Sequence, residues 1–223
     1  MRIVTWNCSM AFYKKRHLLD ALLPDVAVIQ EVSKKDIEGG EYPFAAWVGS
    51  NPRKGLGVIG FRPASYRVTE PSDPALPWHI PFSIDGLDVV ALWAHQLTTD
   101  LRYVRISHEI VGRHAGFLGS DRGLIIGDFN SNTVWDHHHP GRNHSMLVDK
   151  LRGLGLDSVF HRQERIAHGN EQVKTYFHQR NPQSGHHIDY AFLSSRVDAK
   201  VAVGEPDVWL PHSDHMPLIL EIG

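Results

Sequence analysis

The sequence predicts an α+β fold in which β-sheets lie at the centre and helices lie outside. Two features indicate it. Apolar runs of strand length outnumber the amphipathic helical stretches, and in residues 43–93 the predicted strands follow one another without an intervening helix. A doubly wound parallel sheet would instead alternate strands and helices along the chain. The pattern therefore favours a sandwich built on sheets.

The predicted strands are short apolar runs rich in β-branched residues. Each run is bounded by Gly, Pro, Asn or Asp, which is typical of strands that end in turns or loops. The runs cover residues 3–6, 26–29, 58–61, 89–93, 124–126, 188–193 and 218–222.

Three stretches have the three-and-four spacing of apolar residues that indicates a helix. The first covers residues 14–23 and stops at Pro24. The third carries Leu147, Leu151 and Leu154 and ends near glycines, which commonly terminate helices. The second is predicted to form a helix of about five turns, with its apolar stripe at Leu101, Val104, His108, Val111, Ala115 and Leu118.

Length and composition are those of one globular domain. The 223 residues are 42% hydrophobic and 22% charged, so we expect a single domain over residues 1–223. The lone Cys8 excludes an intramolecular disulfide and a multi-cysteine zinc site. No run approaches the roughly 18 apolar residues of a membrane span, and the first residues do not resemble a signal peptide. We therefore expect a monomeric, cytoplasmic protein with no membrane partner.

The charge balance excludes a generally basic nucleic-acid coat protein. The formal net charge is -2 and the pI is near 6.8, so a polyanion would have to be met by a local patch or a metal ion. Histidine is abundant, with 16 residues. The densest histidine run, within residues 136–141, is predicted to be a surface turn because Pro140 and Gly141 follow it directly.

The most informative positions are polar residues at the ends of predicted strands, where a buried carboxylate or amide is costly unless it is paired. Residues two apart share a face of an extended strand, so Asp128 should point the same way as Asn130, and His187 the same way as Asp189. Loops converge at strand ends, and chemistry on a rigid scaffold is usually found there. These positions are Asn7, Glu31, His95, Asp128, Asn130, Asp189, Asp214 and His215.

Taken singly, most of these residues have a structural explanation. Asn7 could cap a helix or turn, Glu31 could be a solvated loop residue, and His95 could be a satisfied core histidine. Residues 127–130 could be a plain turn. Asp189 is harder to explain, because a carboxylate flanked by Ile188 and Tyr190 needs a partner.

Taken together and in this order, the motifs resemble the endonuclease/exonuclease/phosphatase superfamily, which includes pancreatic deoxyribonuclease, exonuclease III-type abasic-site endonucleases, neutral sphingomyelinases and inositol-polyphosphate 5-phosphatases. The resemblance runs from Thr5 to Pro217. It implies a four-layer sandwich of two packed, mostly antiparallel β-sheets flanked by helices, the DNase I-like fold. The matching motifs are Asn7, Glu31, Gly127-Asp-Phe-Asn130, His187-Ile-Asp-Tyr190 and Ser213-Asp-His-Met-Pro217.

The resemblance also implies a hydrolase of phosphate esters that uses Mg²⁺ or Mn²⁺ and no other cofactor. Oxygen ligands suit these ions, so Glu31 is the expected main ligand, with Asn7 beside it and Asp214 contributing. By the same resemblance, Asp128 positions or deprotonates the attacking water. Asn130 is expected to donate a hydrogen bond to a phosphate oxygen.

Two histidines complete the expected chemistry. Asp189 and His215 should form a carboxylate–imidazole dyad, in which the carboxylate fixes the tautomer and favours the charged ring. A cationic His215 would stabilise charge on the phosphorane, whereas a neutral one would act as the base, and the sequence leaves both open. His95 resembles the histidine after the middle strand in the deoxyribonuclease and sphingomyelinase branches. It is a candidate phosphate ligand or leaving-group acid.

The expected substrate is nucleic acid, with nuclease action on DNA or RNA as the leading interpretation. Arg53 and Lys54 lie at the tip of a turn-rich loop, residues 51–55, and are candidate substrate contacts together with His187. The exonuclease III type usually carries a basic residue at the place of His187 and a Tyr after the middle strand, where this chain has residues 93–95. This departure weakens a specific abasic-site assignment.

Three alternative functions fit the sequence to different degrees. A phosphatase or phosphodiesterase acting on a small-molecule or lipid phosphate ester stays open, although no amphipathic stretch favours a lipid. A zinc-type metallophosphoesterase would need an Asp-x-His near the first strand and a Gly-Asn-His segment, and the sequence has neither. A non-enzymatic binding module would not need competent residues at every acid–base and metal position.

Overall fold

The chain folds into two six-stranded β-sheets that pack face to face, with a two-stranded ribbon beside them. The computed structural model describes residues 1–69, 76–98 and 103–223. The strands in these ranges are β1 (Arg2–Asn7), β2 (Val26–Val32), β3 (Phe44–Asn51), β4 (Lys54–Gly60), β5 (Tyr66–Val68), β6 (His79–Ile84), β7 (Leu87–Trp93), β8 (Gly123–Asp128), β9 (Leu156–Ser158), β10 (Tyr176–Phe177), β11 (Gly185–His186), β12 (Asp189–Ser194), β13 (Ala199–Val203) and β14 (Leu218–Ile222).

The helices are short and lie between or after the strands. They are α1 (Arg16–Asp20), α2 (Lys34–Glu38), α3 (Val104–Arg113), α4 (Ala115–Leu118), α5 (His144–Gly153), α6 (Val159–Glu164) and α7 (Pro206–Trp209), with 3-10 turns at Phe12–Lys14, Thr133–His138 and His178–Arg180. Within the described ranges, none of these helices has the length and apolarity needed to cross a bilayer.

The strand order of the first sheet is β13-β14-β1-β2-β4-β3, and that of the second is β5-β6-β7-β8-β12-β9. Each sheet contains one parallel pair, β1 with β2 in the first and β7 with β8 in the second. The other neighbours in both sheets are antiparallel. The predicted mostly antiparallel pairing is therefore confirmed, as is the succession of strands in the described parts of this range, residues 43–69 and 76–93.

The central strands are apolar on both faces, which explains why they appear in the sequence as continuous apolar runs. In β2, Val26 and Val28 face the second sheet, whereas Ala27 and Ile29 face the helices on the other side. Successive side chains of a strand alternate between faces, so one run supplies two cores. Each fully buried Val or Ile contributes about 1.5–3 kcal/mol relative to exposure.

Helices cover the outer face of each sheet and complete a four-layer sandwich, as predicted. Leu19 of α1, Ile37 of α2 and Trp209 of α7 pack in the core on the outer face of the first sheet. Apolar side chains of α3, α4 and α5 pack in the larger core that also fills the space between the sheets.

Two helix predictions need correction. The stretch 14–23 forms only the short α1 after a 3-10 turn, and it ends before Leu23, which has a left-handed backbone (φ 51°) ahead of Pro24. The predicted five-turn helix is divided into α3 and α4 at His114, whose φ of -100° and ψ of 20° are not helical. Leu101, the first residue of that predicted stripe, lies outside the described residues.

A polar contact ties the two sheets together near one end of the sandwich. Gln30 is fully buried, and its Nε2 donates to Thr5 Oγ1 at 2.9 Å and to the Leu92 carbonyl oxygen of the second sheet at 3.2 Å. Gly127 lies against the same carbonyl with φ of 148°, and a Cβ there would be 1.9 Å from the Leu92 oxygen. Glycine is therefore required at the first position of the Gly-Asp-Phe-Asn motif.

A buried histidine of β6 makes the fold sensitive to acid. His79 of β6 is 4% exposed, and its ring centroid lies 4.8 Å from that of His114. Burial, and then the positive charge of His114, lower the pKa of His79 from 6.5 to about 4.

This pKa shift predicts loss of stability in acid. The folded-state pKa is lower than the unfolded value, so protons bind the unfolded state first, and the free energy of unfolding falls as pH drops from 6.5 towards 4. The full contribution is about 3 kcal/mol. In urea titrations, the free energy of unfolding of the His79→Gln variant should change less with pH over this window than that of the wild type. The variant His17→Gln, at an exposed histidine, should follow the wild type. Parallel wild-type and His79→Gln curves would contradict the assignment.

Candidate functional site

The strand pairing brings the predicted polar residues to the same end of the sandwich. β1 and β2 run parallel with Asn7 opposite Gln30, so Asn7 and Glu31 lie at one edge of the first sheet. β8 and β12 run antiparallel with Asp128 directly opposite Asp189. The Asn7 Nδ2 donates to Asp128 Oδ2 at 3.1 Å, which joins the two sheets at this site.

Glu31 lies on a distortion of its strand. The pairing of β2 with β4 shifts register between Gln30 and Val32, and Glu31 has a left-handed backbone with φ of 59°. Such bulges re-aim a side chain and are frequent beside functional sites. The strand thus extends to Val32, past the predicted run of residues 26–29. The Glu31 carboxylate forms a salt bridge with Lys54 Nζ at 3.1 Å.

Asp128 is fully buried and held on both oxygens. Its Oδ1 accepts from the Asn130 backbone N–H at 2.9 Å, and its Oδ2 accepts from the Asn130 side-chain amide at 2.9 Å. Asn130 reaches back because its backbone is left-handed (φ 47°). An extended backbone, the condition on which the two side chains were expected to share a face, is therefore not present, although the two side chains do meet.

His215 and Asp189 form the predicted dyad. His215 Nδ1 donates to Asp189 Oδ2 at 3.0 Å, and both residues are at most 4% exposed. The His215 backbone is anchored on two sides, since its carbonyl accepts from Trp6 Nε1 at 3.0 Å and its N–H donates to Ser213 Oγ at 3.1 Å. Thr175 Oγ1 accepts the Asp189 N–H at 3.0 Å.

The charges of this group are strongly interdependent. Burial lowers the pKa of His215, but the negative charges of Asp189 and Asp128 raise it more, to about 10. Burial raises the pKa of Asp128 to about 7. The positive charge of His215 lowers this pKa, and the negative charge of Asp189 raises it. The imidazole is therefore a cation at neutral pH, and Asp128 titrates near neutrality.

Tyr176, which the sequence reasoning missed, lies where the carboxylates converge. Burial, followed by the charges of Asp214, Asp128 and Glu31, raises the pKa of its phenol. Its ring centroid is 4.8 Å from that of His215, and its backbone pairs with His215 in an isolated β-bridge. Nothing in the sequence distinguishes this tyrosine from an ordinary strand aromatic, because the bridge joins segments that are distant in the chain.

Basic residues surround the site, and two of them were also missed. Lys15 Nζ donates to the carbonyl oxygen of Cys8 at 2.5 Å. Burial lowers the pKa of Lys15, the charge of Arg180 also lowers it, and the charges of Asp214 and Glu31 raise it. Arg180 is exposed and donates to the carbonyl of Pro211 at 3.2 Å. Lys15 lies in the turn before α1 and Arg180 lies on a 3-10 turn. Neither belongs to a motif, so only the fold brings them here.

His95 lies at the rim of the site, half-buried and stacked on Trp93 with centroids 4.5 Å apart and planes 2° apart. Burial, and then the positive charge of Lys54, lower its pKa. The Lys54 Nζ itself is 5.5 Å from the Trp93 ring centroid.

The predicted basic loop is a hairpin turn, but its two cations point differently. Arg53 is exposed, whereas Lys54 begins β4 and points inward to Glu31. The histidine run near residue 138 is on the surface as predicted, with His137 and His138 exposed on a 3-10 turn.

The structure does not support His187 as a substrate contact. The N–H groups of both Ile188 and Asp189 donate to the same Thr175 hydroxyl, so the chain bends there and the expected alternation of faces fails. His187 is 1% exposed, packs against Phe160 with centroids 4.5 Å apart, and has a pKa lowered to about 4 by burial.

The oxygen donors at this site fit a hard divalent cation. The ligand atoms of Asp128, Asp189 and His215 lie within 4.8 Å of one another, but His215 as a protonated imidazole cannot bind metal. Glu31, by contrast, is partly exposed, and its carboxylate already holds a cationic group. Hard cations such as Mg²⁺ bind one or two carboxylates and retain waters.

Comparison with solved structures agrees with the fold. The chain is similar to a 3'-5' exonuclease (NExo) from Neisseria meningitidis, with 17% identity, a TM-score of 0.69 and coverage of 100% of this chain and 99% of that one. It is similar to an AP endonuclease from Archaeoglobus fulgidus, with 20% identity, a TM-score of 0.70 and coverage of 100% and 99%. It is also similar to the Xenopus laevis APE2 catalytic domain, with 13% identity, a TM-score of 0.72 and coverage of 100% and 91%.

No protein with a curated description matches the chain by sequence. A family model does match, and it covers nearly the whole chain, from residue 4 to residue 215. This range includes every strand-end residue described above, from Asn7 to His215. The chain therefore belongs to the Endonuclease/Exonuclease/phosphatase family.

Proposed function

We propose that this protein hydrolyses phosphodiester bonds in nucleic acid with the help of a Mg²⁺ or Mn²⁺ ion. The observation that carries the proposal is the buried His215 ring, which is hydrogen-bonded to Asp189 and close to Asp128, beside the partly exposed carboxylate of Glu31. An acid–base carboxylate, a fixed cation and a metal ligand are what phosphoryl transfer to water requires.

Glu31 would hold the ion, with the Asn7 side-chain oxygen and Asp214 as further ligands. When bound, the ion supplies positive charge that polarises the phosphate and stabilises the leaving oxygen. Lys54 would then share the Glu31 carboxylate or turn towards the phosphate, since its amine is on a flexible stem.

Asp128 would accept the proton of the attacking water. A base works best with a pKa near the working pH, and the pKa of Asp128 is raised to about 7. Asn7 and Asn130 fix the carboxylate, and the second amide hydrogen of Asn130 is available to a phosphate oxygen.

His215 would act as a cation, which selects one of the two roles that the sequence leaves open. With a pKa raised to about 10, the ring keeps both protons at neutral pH and can donate from Nε2 to a phosphorane oxygen while Nδ1 is held by Asp189. His95 has a lowered pKa, so it would contact phosphate as a neutral N–H donor rather than serve as the leaving-group acid.

Nucleic acid is the proposed substrate because cations flank the site although the net charge is -2. Lys15, Lys54 and Arg180 lie near the carboxylates, and Arg53 extends from the adjacent turn. The names of the similar solved proteins agree, since they describe an exonuclease and an AP endonuclease, and the Neisseria protein is also described as a 3' phosphatase bound to a product DNA hairpin.

A substrate panel at fixed Mg²⁺ tests the proposal. It should include duplex DNA, single-stranded DNA, RNA, abasic DNA, an aryl phosphodiester and inositol phosphates. We expect cleavage of at least one polynucleotide with a kcat/KM well above that for the aryl ester. Turnover of inositol phosphates alone would establish a small-molecule phosphatase instead, and end-labelled products would separate endonuclease from exonuclease action.

Metal removal should abolish turnover, and Mg²⁺ or Mn²⁺ should restore it better than Zn²⁺, because the proposed ligands are oxygens. The Glu31→Gln variant should raise the metal concentration for half-maximal rate at least about tenfold. Glu38→Gln, at an exposed glutamate of α2, is the matched control and should leave that concentration unchanged. Full activity in excess chelator would refute the metal requirement.

The dyad should behave as one unit. Asp189→Asn and His215→Ala should each lower kcat roughly 10²- to 10⁴-fold at saturating Mg²⁺, and the double variant should be little worse than either. Asp198→Asn, on an exposed turn, should not change kcat. Losses that multiply in the double variant would mean that the two residues act independently.

Arg53 and Lys54 should separate into distinct roles. Arg53→Ala should raise KM for an oligonucleotide and reduce its salt dependence by roughly 0.7–0.9 in log–log slope, with no effect on an aryl phosphodiester. Lys54→Ala should impair both substrates, because Lys54 contacts Glu31. Lys200→Ala, at the level of Arg2 on the far end of the first sheet, is the control. If Arg53→Ala and Lys54→Ala had the same effects on the oligonucleotide and on the aryl phosphodiester, this division would be contradicted.

A further inference from the structure

A second polar cluster lies behind the candidate active site, and the proposed function does not use it. It consists of four histidines and one glutamate, drawn from the start of α5, from α6, from the loop after α6 and from the segment before β12. We call it the histidine cluster, and its members are His144, His161, His168, Glu171 and His187.

Three members lie close enough together to become the ligands of one ion after a small rearrangement. His161, His168 and Glu171 each offer one ligand atom, and these atoms all lie within 4.8 Å of one another. His161 Nε2 is 2.9 Å from Glu171 Oε1. His144 lies next to these three, with its Nε2 3.4 Å from His168 Nδ1. Ligand atoms around a tetrahedral ion with bonds of about 2.0–2.1 Å are about 3.4 Å apart, so the most widely spaced of these atoms must move closer to share an ion.

Serine hydroxyls orient two of the rings. Ser158 Oγ lies 2.7 Å from His161 Nδ1, and Ser131 Oγ lies 2.9 Å from His144 Nδ1. In both rings the Nε2 atom is thereby directed into the cluster. A histidine that binds metal almost always donates its other ring N–H to such a partner, which fixes the tautomer.

The cluster also contains a buried nitrogen that has no hydrogen-bond partner in the described part of the chain. His187 Nδ1 is 2.9 Å from the Val173 carbonyl oxygen, which leaves Nε2 as a buried lone pair without a donor. Its ring centroid is 5.7 Å from that of His161. An unpaired buried lone pair is costly, so this concentration of imidazoles is poorly explained by packing alone.

The cluster is accessible from solvent. A surface cleft is lined by Ser158, His161 and His168 among other residues, and His168 is half-buried. The rings of His161 and His168 stack with centroids 3.5 Å apart, so sharing an ion requires the His168 ring to rotate. His168 is on a loop next to Gly169, whose φ is 91°, and it is the least buried of the three candidate ligands.

We propose that His161, His168 and Glu171, with His144 as the fourth ligand, bind one Zn²⁺ ion that is separate from the active-site metal. Three imidazoles and one carboxylate suit zinc, whereas Mg²⁺ prefers oxygen ligands alone. The ion would have a structural role, because hydrogen bonds connect the histidine cluster to the segments next to Asp128 and Asp189. Asn132 Nδ2 donates both to Glu171 Oε1 at 3.2 Å and to the His187 carbonyl at 2.9 Å.

Zinc at this position would stiffen the loop that follows the proposed base, which ends β8. Asn132 is four residues from Asp128, and Tyr190, next to Asp189, bonds the Ser131 carbonyl through its hydroxyl at 3.1 Å. We therefore expect zinc to raise the midpoint of thermal unfolding even when the active site is disabled by Glu31→Gln.

The test uses the wild-type protein without an affinity tag, stripped with chelator and titrated with Co²⁺ and then Zn²⁺. We expect the wild type and the Glu31→Gln variant each to bind one equivalent of Co²⁺ that shows the visible absorption of a tetrahedral site. Zn²⁺ should displace this Co²⁺ in both proteins. His168→Gln and Glu171→Gln should weaken binding at least about tenfold. The exposed His138→Gln variant should bind as the wild type does.

Two outcomes would overturn the proposal. One is binding that is unchanged in His168→Gln and Glu171→Gln but lost in His138→Gln or Glu31→Gln, which would place the ion elsewhere. The other is a wild-type crystal grown with Zn²⁺ whose anomalous difference map at the zinc edge lacks a peak among His161, His168 and Glu171. That map does not depend on whether any variant folds, and a peak there would support the proposal directly.

Discussion

The architecture of the active-site end depends on one electrostatic constraint, the pairing of two buried carboxylates across adjacent strands. Asp128 and Asp189 are direct partners in the β8–β12 ladder, and both are at most 1% exposed. Two like charges in such a position repel each other and lose their hydration. The arrangement persists because His215 lies beside them as a cation, with its pKa raised to about 10.

Much of the surrounding structure holds that imidazole in place. The His215 backbone is fixed by Trp6 from the first sheet and by the Ser213 hydroxyl, whose own donor bond goes to the Asn7 carbonyl. The same Asn7 bonds Asp128 through its side chain. The two sheets therefore meet at the site through polar contacts, whereas elsewhere they meet through apolar packing. Loss of one partner would leave an uncompensated buried charge.

Several features of the site were predictable because burial makes them costly. A carboxylate at position 189 between apolar neighbours required a partner, and the family resemblance supplied His215 as that partner. The buried strands were recognisable because both of their faces are apolar. His187 was assigned wrongly, because a single hydroxyl, that of Thr175, bends the chain by accepting two successive N–H groups. No local pattern encodes that contact.

The sequence by itself determined the fold class and the family resemblance, since these follow from apolar periodicity and from motifs that are local in the chain, and it proposed residues for the acid–base and metal chemistry. Only the tertiary structure decided which residues meet. It placed Tyr176 against His215, turned Lys54 inward to Glu31 while Arg53 stayed exposed, and gathered four histidines behind the site. Such contacts join segments that are far apart in the sequence. The distances and charge states of these residues are set by strand register and burial, and both arise only when the sheets pack.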